Sequence, residues 1–320
     1  MSLKSGIKLI RNSKFGWMLA PFHAAYIRFE KSKLFFALRY RPWMSDEKYL
    51  KRMHKKHFGR ELNLDSPCSF NEKNNWRKLH DRKPLYTRMV DKHQLKEVVR
   101  ERCGEGYTIP SLGTWKHAND IPFDSLPDRY VLKANHAGGV IICRNNASFD
   151  RKKAKKELTE SLRSDYYIRS REWPYKNVPR CILAEEYVGE NLVDYKNYCF
   201  NGNLLYTLVW KNVSRADGRK PTAHFCGSYD RNWVKTDMEL DYPSMPDAQI
   251  EKPEGYDEMV RIAEILSKEI PFVRVDCYIL NGRVYVGEMT FFPWGGFQKF
   301  KDERWNLRLG ELQKLPDLGG

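Results

Sequence analysis

Two Asn-Gly dipeptides, Asn201-Gly202 and Asn281-Gly282, each lie between two β-patterned runs, "DYKNYCF" and "NLLYTLVWK" in one case, "RVDCYIL" and "RVYVGEMTFF" in the other. Asn followed by Gly tolerates positive φ at both positions, as a tight hairpin turn requires, so each dipeptide predicts an antiparallel hairpin. A purely parallel, doubly wound sheet is therefore excluded for the C-terminal half. Strands and helices elsewhere alternate without a regular βαβ rhythm, and the expected class is α+β.

In "SPCSFNEKNNWRKLH" Ser69 is a candidate N-cap, with helical spacing from Glu72 to Leu79. A second helix is expected from about Tyr86 to Arg102, stopped by Gly104. "YTIPSLGTW" and "RYVLKANHAGGVIIC" read as strands, the latter with a glycine-containing connection. A Lys-rich helix over 151–165, a strand in "RCILAEEYVG" and an amphipathic helix in "GYDEMVRIAEILSKEI" complete the outline.

The second hairpin places Arg274, Asp276 and Glu288 in a pattern otherwise suited to burial. A two-residue turn would oppose Asp276 to Gly287 and send Glu288 to the other face, because register decides side-chain direction. A three-residue loop, Leu280-Asn281-Gly282 with Gly282 left-handed, changes that parity. Arg274 then faces Glu288, and Asp276 sits on the same face beside Val286. Val273, Val275, Cys277, Ile279, Tyr285, Met289 and Phe291 share the apolar face. This register is the expected one. Carboxylates projecting together repel unless a cation compensates. Mg²⁺, which takes one or two carboxylates plus phosphate oxygens, suits such a pair. A surface ion pair of Arg274 with Glu288 is the alternative.

Two further stretches carry candidate chemistry. Lys133 in "VLKANHAGGVI" ends a strand and precedes Gly138 and Gly139, whose backbone N–H groups can approach an anion closely. Neither established glycine-rich phosphate motif is matched, and a hairpin turn with an exposed lysine fits the same residues. Glu185 and Glu186, followed by Asp194 and Lys196, read in isolation as surface acids. No Ser/His/Asp order suggests a nucleophile, and the eight histidines show no metal-ligand spacing.

The net charge of +15 is concentrated: residues 1–60 hold 15 Lys/Arg against three acids, leaving +3 for the other 260 residues. No nucleic-acid motif accompanies it. Aromatic and aliphatic residues interleave with Lys/Arg over 8–43. That pattern suits either a helix on an anionic membrane surface or a helical arm with a solvated basic face. No apolar run reaches the roughly 18 residues of a membrane span, and neither a span nor a signal peptide is expected. The seven scattered cysteines lack a C-x-x-C pair and point to reduced thiols in a cytoplasmic protein, with no zinc site.

Taken in order, Asp91-Lys92 opening a helix, Lys133 before the glycine-containing loop, Glu185-Glu186-Tyr187-Val188, Arg274-x-Asp276 and Glu288-x-Thr290 resemble the ATP-grasp superfamily. "SFNEKNNWRKLHDRKPLYT", "VLKANHAGG", "DYKNYCFNG", "YDRNW" and "RVDCY…GEMTFFP" look like its TupA-like branch, associated with teichuronopeptide and other bacterial surface polysaccharide synthesis. The likeness spans about residues 60–300.

The resemblance implies an ATP-grasp fold of two α+β lobes built on antiparallel sheets, over 61–180 and 181–320, with ATP between them and a basic helical arm over 1–60. It implies that Lys92 and Lys133 contact phosphates beneath a flap of His136 to Gly139. Glu185, Glu186, Tyr187 and Val188 would bind adenine, and Asp194 the ribose. Lys196 would be an additional phosphate contact. Asp276, Glu288 and Thr290 would hold Mg²⁺, and Arg274 would steady an acyl-phosphate or the oxyanion formed from it.

The implied activity is a carboxylate–amine ligase joining a uronic acid or amino-acid carboxylate to an amine. Thr290 stands where many members carry Asn, and Trp294 where a smaller residue is usual. The usual N-terminal α/β substrate domain is not evident in residues 1–60. A glycosyltransferase, a kinase that stops at phosphorylation and a non-catalytic assembly scaffold are the rival readings.

Overall fold

The computed structural model describes residues 38–189, 192–211, 224–242, 244 and 250–317. The chain forms two units, residues 1–49 and 50–320. The basic arm expected over 1–60 lies largely outside the described residues, which show there a helix, α1 (Asp46–Phe58).

Among the described residues every strand of the second unit pairs antiparallel. β1 (Ser111–Trp115), β2 (Tyr130–Ala134), β3 (Ile141–Cys143) and β4 (Ile182–Glu186) form a four-stranded sheet in the order β1-β4-β2-β3. β5 (Asp194–Phe200), β6 (Asn203–Lys211), β7 (His224–Asp230), β8 (Lys235–Thr236), β9 (Val273–Leu280) and β10 (Arg283–Thr290) form a six-stranded sheet in the order β10-β9-β5-β6-β7-β8. With helices packed on both, the chain is α+β, as the hairpin signals require. The first hairpin turns at Asn201-Gly202, pairing Phe200 with Asn203.

One face of the six-stranded sheet is dry. Val273, Val275, Cys277, Val284, Val286 and Met289 pack with residues of α3 (Pro84–Val90), α4 (Gln94–Cys103) and α7 (Tyr256–Ser267), among them Met89, Val98, Met259 and Ile262. A fully buried aliphatic side chain contributes about 1.5–3 kcal/mol, so this face holds the sheet's register and leaves the other available for polar groups.

The second hairpin departs from the expected three-residue loop. Leu280 pairs with Arg283, making Asn281-Gly282 a two-residue turn with φ of 50° and 72°. Parity is instead changed by a β-bulge between Val286 and Glu288, after which Glu288 pairs with Asp276 and Thr290 with Arg274. The extra residue is Gly287, where an added Cβ would lie 2.7 Å from the Tyr278 ring. A bulge inserts one residue into one strand and so reverses its facing. Hence Val284 and Val286 join the core in place of Tyr285, and Asp276 stands beside Glu288 rather than Val286.

The helix expected over Tyr86–Arg102 is also interrupted. α3 ends at Val90 and α4 starts at Gln94. Asp91 causes the break: its Oδ1 accepts from the backbone N–H of His93 at 2.9 Å and of Gln94 at 3.4 Å, and its backbone is extended. Local side-chain acceptance of this kind competes with helix continuation. The freed Lys92 N–H donates to Asn135 O across the fold at 3.1 Å.

α2 (Phe70–His80) starts as expected at Ser69, in a reciprocal capping box with Glu72. It is unusual in burying Asn71, Asn74, Asn75, Arg77 and Lys78. Several of their donors meet distant backbone: Asn71 reaches Gln298 O at 2.8 Å, Asn75 reaches Gly296 O at 2.8 Å and Arg77 reaches Phe272 O at 2.8 Å, whereas Asn74 Nδ2 and Arg77 Nη2 have no hydrogen-bond partner. Buried polar groups need such partners, and here they tie α2 to the turn at 293–298.

Candidate functional site

The polar face of the six-stranded sheet is arranged in cross-strand rows. Lys196, Asp276 and Glu288 are direct neighbours on β5, β9 and β10, and Tyr198, Arg274 and Thr290 form the next row. The contacts are dense: Arg274 binds Asp276 with two donors, Nε to Oδ1 and Nη2 to Oδ2, each at 2.6 Å. Its Nη2 also reaches Thr290 Oγ1 at 3.1 Å and Glu288 Oε1 at 3.4 Å. Lys196 Nζ bridges Asp194 Oδ2 at 2.5 Å and Asp276 Oδ2 at 2.9 Å, and Lys92 Nζ lies 3.3 Å from Glu288 Oε2.

This network is not the isolated surface pair of Arg274 with Glu288. Asp276 is 2% exposed. Burial pushes its carboxyl up, to about 6, against the pull of Arg274 and Lys196. Burial would also raise Glu288, but Lys92, Arg274 and Lys196 outweigh it and hold that carboxylate well below its usual range. The cause of the difference is local: Asp276 sits inside the sheet, whereas Glu288 faces open space with three cations around it.

A second cluster stands on the four-stranded sheet. Lys133 pairs with Leu183 and Glu185 with Val131, which puts Lys133 and Glu185 diagonally on one face. Lys133 Nζ contacts Glu185 Oε2 at 2.5 Å, and Lys96 of α4 contacts Glu185 Oε1 at 2.7 Å. Lys133 is thus neither exposed nor idle, and Glu185 is buried while Glu186 at the strand end is exposed. Burial lowers the Lys133 ammonium; it would raise Glu185, yet the two lysines hold that carboxyl low.

Asn135, absent from the sequence-based candidates, positions several of them. Its Nδ2 donates to Asp91 Oδ1 and to Pro179 O, both at 2.8 Å, and its Oδ1 accepts from Cys181 N at 2.9 Å. It thereby fixes the Asp91-Lys92 break against the end of β2. Next to it His136 is buried, with Nε2 3.1 Å from Ser164 O, and burial lowers its pKa. Its ring is a structural anchor for the loop that runs on through Gly138 and Gly139. Tyr187 and Val188 follow β4 outside any strand and are partly exposed.

A cavity of about 450 Å³ collects one side of this arrangement. Lys92, Asp194, Lys196, Arg274, Glu288 and Thr290 line its charged part, with His136 and Gly138 at the loop. Tyr166, Tyr175, Tyr242 and Trp294 are among the aromatics lining the rest. Lys133, Gly139, Glu185, Glu186, Tyr187, Val188 and Asp276 are not part of that lining. Glu172 also lines it and had no signal in the sequence, since "REWP" belongs to no motif.

No preassembled cluster of three or more His, Cys, Asp or Glu occurs among the described residues. Asp276, Glu288 and Thr290 nevertheless offer only oxygen donors, two of them carboxylates, on adjacent cross-strand positions. That donor chemistry fits Mg²⁺, which completes its shell with water and phosphate oxygens. Asp194, two residues before Lys196 on β5, adds a buried Oδ1 without a hydrogen-bond partner.

Solved structures similar to the chain include the L-amino acid ligase of Bacillus licheniformis, at 13% identity and a TM-score of 0.44, over 79% of this chain and 57% of that one. The D-alanine–D-alanine ligase of Bacillus anthracis complexed with ATP matches at 16% identity and a TM-score of 0.37, over 78% and 63%. Biotin carboxylase of Campylobacter jejuni matches at 14% and 0.38, over 72% and 48%. The chain thus spans less than two thirds of the length of each. A search of curated proteins finds no match. Over residues 72–314 the sequence matches the family described as TupA-like ATPgrasp, and the chain belongs to that family.

Proposed function

We propose that this protein is an ATP- and Mg²⁺-dependent ligase that activates a carboxylate as its acyl-phosphate and joins it to an amine. The substrate class we assign is a uronic-acid-containing glycan or sugar with an amino compound, in bacterial surface polysaccharide synthesis. The observation that carries the reading is the convergence of Lys92, Lys196, Arg274, Glu288 and Thr290 on one cavity whose wall also carries aromatic side chains, among them Tyr166, Tyr175, Tyr242 and Trp294. Aromatic faces suit the apolar side of a sugar ring, and the charged wall suits a triphosphate.

A carboxylate is a poor electrophile because its leaving group would be oxide. In the proposed reaction a carboxylate oxygen attacks the γ-phosphorus and ADP leaves. The amine nitrogen, as the free base, then attacks the acyl carbon, the C–N bond forms, the C–O bond breaks with phosphate taking its electron pair, and the proton the nitrogen gives up leaves with the phosphate. Lys92, Lys133 and Lys196 offset phosphate charge, and the Arg274 fork orients the acyl oxygen. Asp276, Glu288 and Thr290 would hold Mg²⁺, which when bound neutralises phosphate charge. The His136–Gly139 loop covers the phosphates, Glu185 to Val188 hold adenine, and Asp194 meets the ribose.

We further infer lobes over 61–180 and 181–320, with β4 of the second span completing the first lobe's sheet, and a basic arm over 1–60 at the inner face of the cytoplasmic membrane. No helix among the described residues is long and apolar enough to cross a membrane. The test is ADP release from Mg·ATP with glucuronate or galacturonate and a panel of primary amines, products read by mass spectrometry. An amide formed with ADP supports the proposal. ADP with a stable phosphorylated product and no amide would replace it by a kinase.

A further inference from the structure

Glu172 follows α6 (Tyr166–Ser170) and is 3% exposed, yet it lines the cavity. Its Oε1 is buried and has no hydrogen-bond partner. Lys78 and Arg274 act on it through their charge, while their hydrogen bonds go to other groups. Lys78 Nζ donates to Ser170 O at 2.9 Å, to Asn75 Oδ1 at 3.3 Å and to Gly295 O. Arg274 is engaged with Asp276, Glu288 and Thr290. Burial raises the Glu172 carboxyl to about 7, and its field in turn raises the Tyr166 hydroxyl.

A buried carboxylate oxygen without a partner is costly, and within a cavity it marks a place for a complementary ligand. One carboxylate is too few for a divalent ion. A sugar hydroxyl would supply a hydrogen bond but no charge. The neighbours narrow the choice: Tyr166 and Tyr175, with ring centroids 4.6 Å apart, line the same cavity as Trp294, and aromatic faces attract cations. We infer that Glu172, flanked by Tyr166 and Tyr175, is the subsite for a primary ammonium, the protonated nitrogen of the amine substrate. This rests on the ligase reading and names where that reaction takes its second substrate, in the same cavity as the Arg274 fork.

The experiment is a pair of saturation-transfer NMR titrations with benzylammonium and with benzyl alcohol, a neutral probe of similar shape, on the wild type and Glu172→Gln. The wild type is expected to bind the ammonium about tenfold more tightly than the alcohol, a difference of one charge-assisted contact. Glu172→Gln should abolish that preference, keep wild-type affinity for Mg·ATP, and melt at or above the wild-type temperature because an unpartnered buried charge is gone. Equal binding of both probes to the wild type would overturn the inference. So would a preference that survives in Glu172→Gln, or a fall of several degrees in its melting temperature, which marks a structural role. Failure of the wild type to bind Mg·ATP would sink the ligase reading, while the two probes would still decide the subsite.

Discussion

Arg274→Met is expected to lower ADP-forming turnover by about 10²–10³-fold, the loss typical when a preorganised donor to a developing oxyanion is removed. Arg274 touches Asp276, Glu288 and Thr290 together, so its loss removes the proposed acyl clamp and loosens the row beside it. The variant should also be less stable. Removing one partner of a buried ion pair costs about 3–5 kcal/mol. Here the cost should fall at the low end, because Lys196 still contacts Asp276. Arg274→Lys separates the two effects: it keeps a cation against Asp276 but not the planar fork, so stability should largely return while turnover stays low. Melting temperature and turnover, measured on both variants, check this; a turnover restored by lysine would contradict the fork's role.

Lys133→Met should weaken Mg·ATP binding by about 10- to 100-fold, since a hydrogen bond to a charged group is worth about 1.5–3 kcal/mol. The difficulty is that Lys133 also neutralises buried Glu185, so a simple loss could report misfolding. Lys96 remains on Glu185, which limits the damage. The double variant Lys133→Met with Glu185→Gln removes the uncompensated charge and should recover melting temperature without recovering ATP affinity. Calorimetry on the single and double variants distinguishes these roles. ATP affinity regained in the double variant would show Lys133 to be structural alone.

Local signals account for much of the architecture. Both Asn-Gly turns, the Ser69 cap and the antiparallel hairpins follow from residues within a few positions of each other. So does the joint projection of Arg274, Asp276 and Glu288, although a bulge and not the loop length produces it. The loop length was expected to reverse parity, whereas Gly287 does so by bulging under the Tyr278 ring. A glycine within a strand pattern signals such a bulge, but its effect on register depends on the partner strand.

What was illegible is long-range. The helix break at Asp91 is local in cause, but its placement against the end of β2 depends on Asn135, 44 residues away. Glu172 lines the cavity with Gly295, in a region where Lys78 of α2 ties Ser170 O to Gly295 O across the sequence. The burial of Glu185 likewise requires Lys96 and Lys133 to meet from two different elements. No periodicity encodes contacts of this kind.

The most direct test of the proposed site is calorimetric titration of Mg·ATP and of metal-free ATP into the wild type and into the double variant Asp276→Asn, Glu288→Gln. These substitutions keep the shapes of two side chains whose charges are the proposed metal ligands. The wild type should bind Mg·ATP more tightly than ATP alone, and the double variant should lose that metal-dependent increment. Metal dependence that persists in the double variant, or a wild type that binds neither form, would contradict a nucleotide–metal site on this face of the sheet.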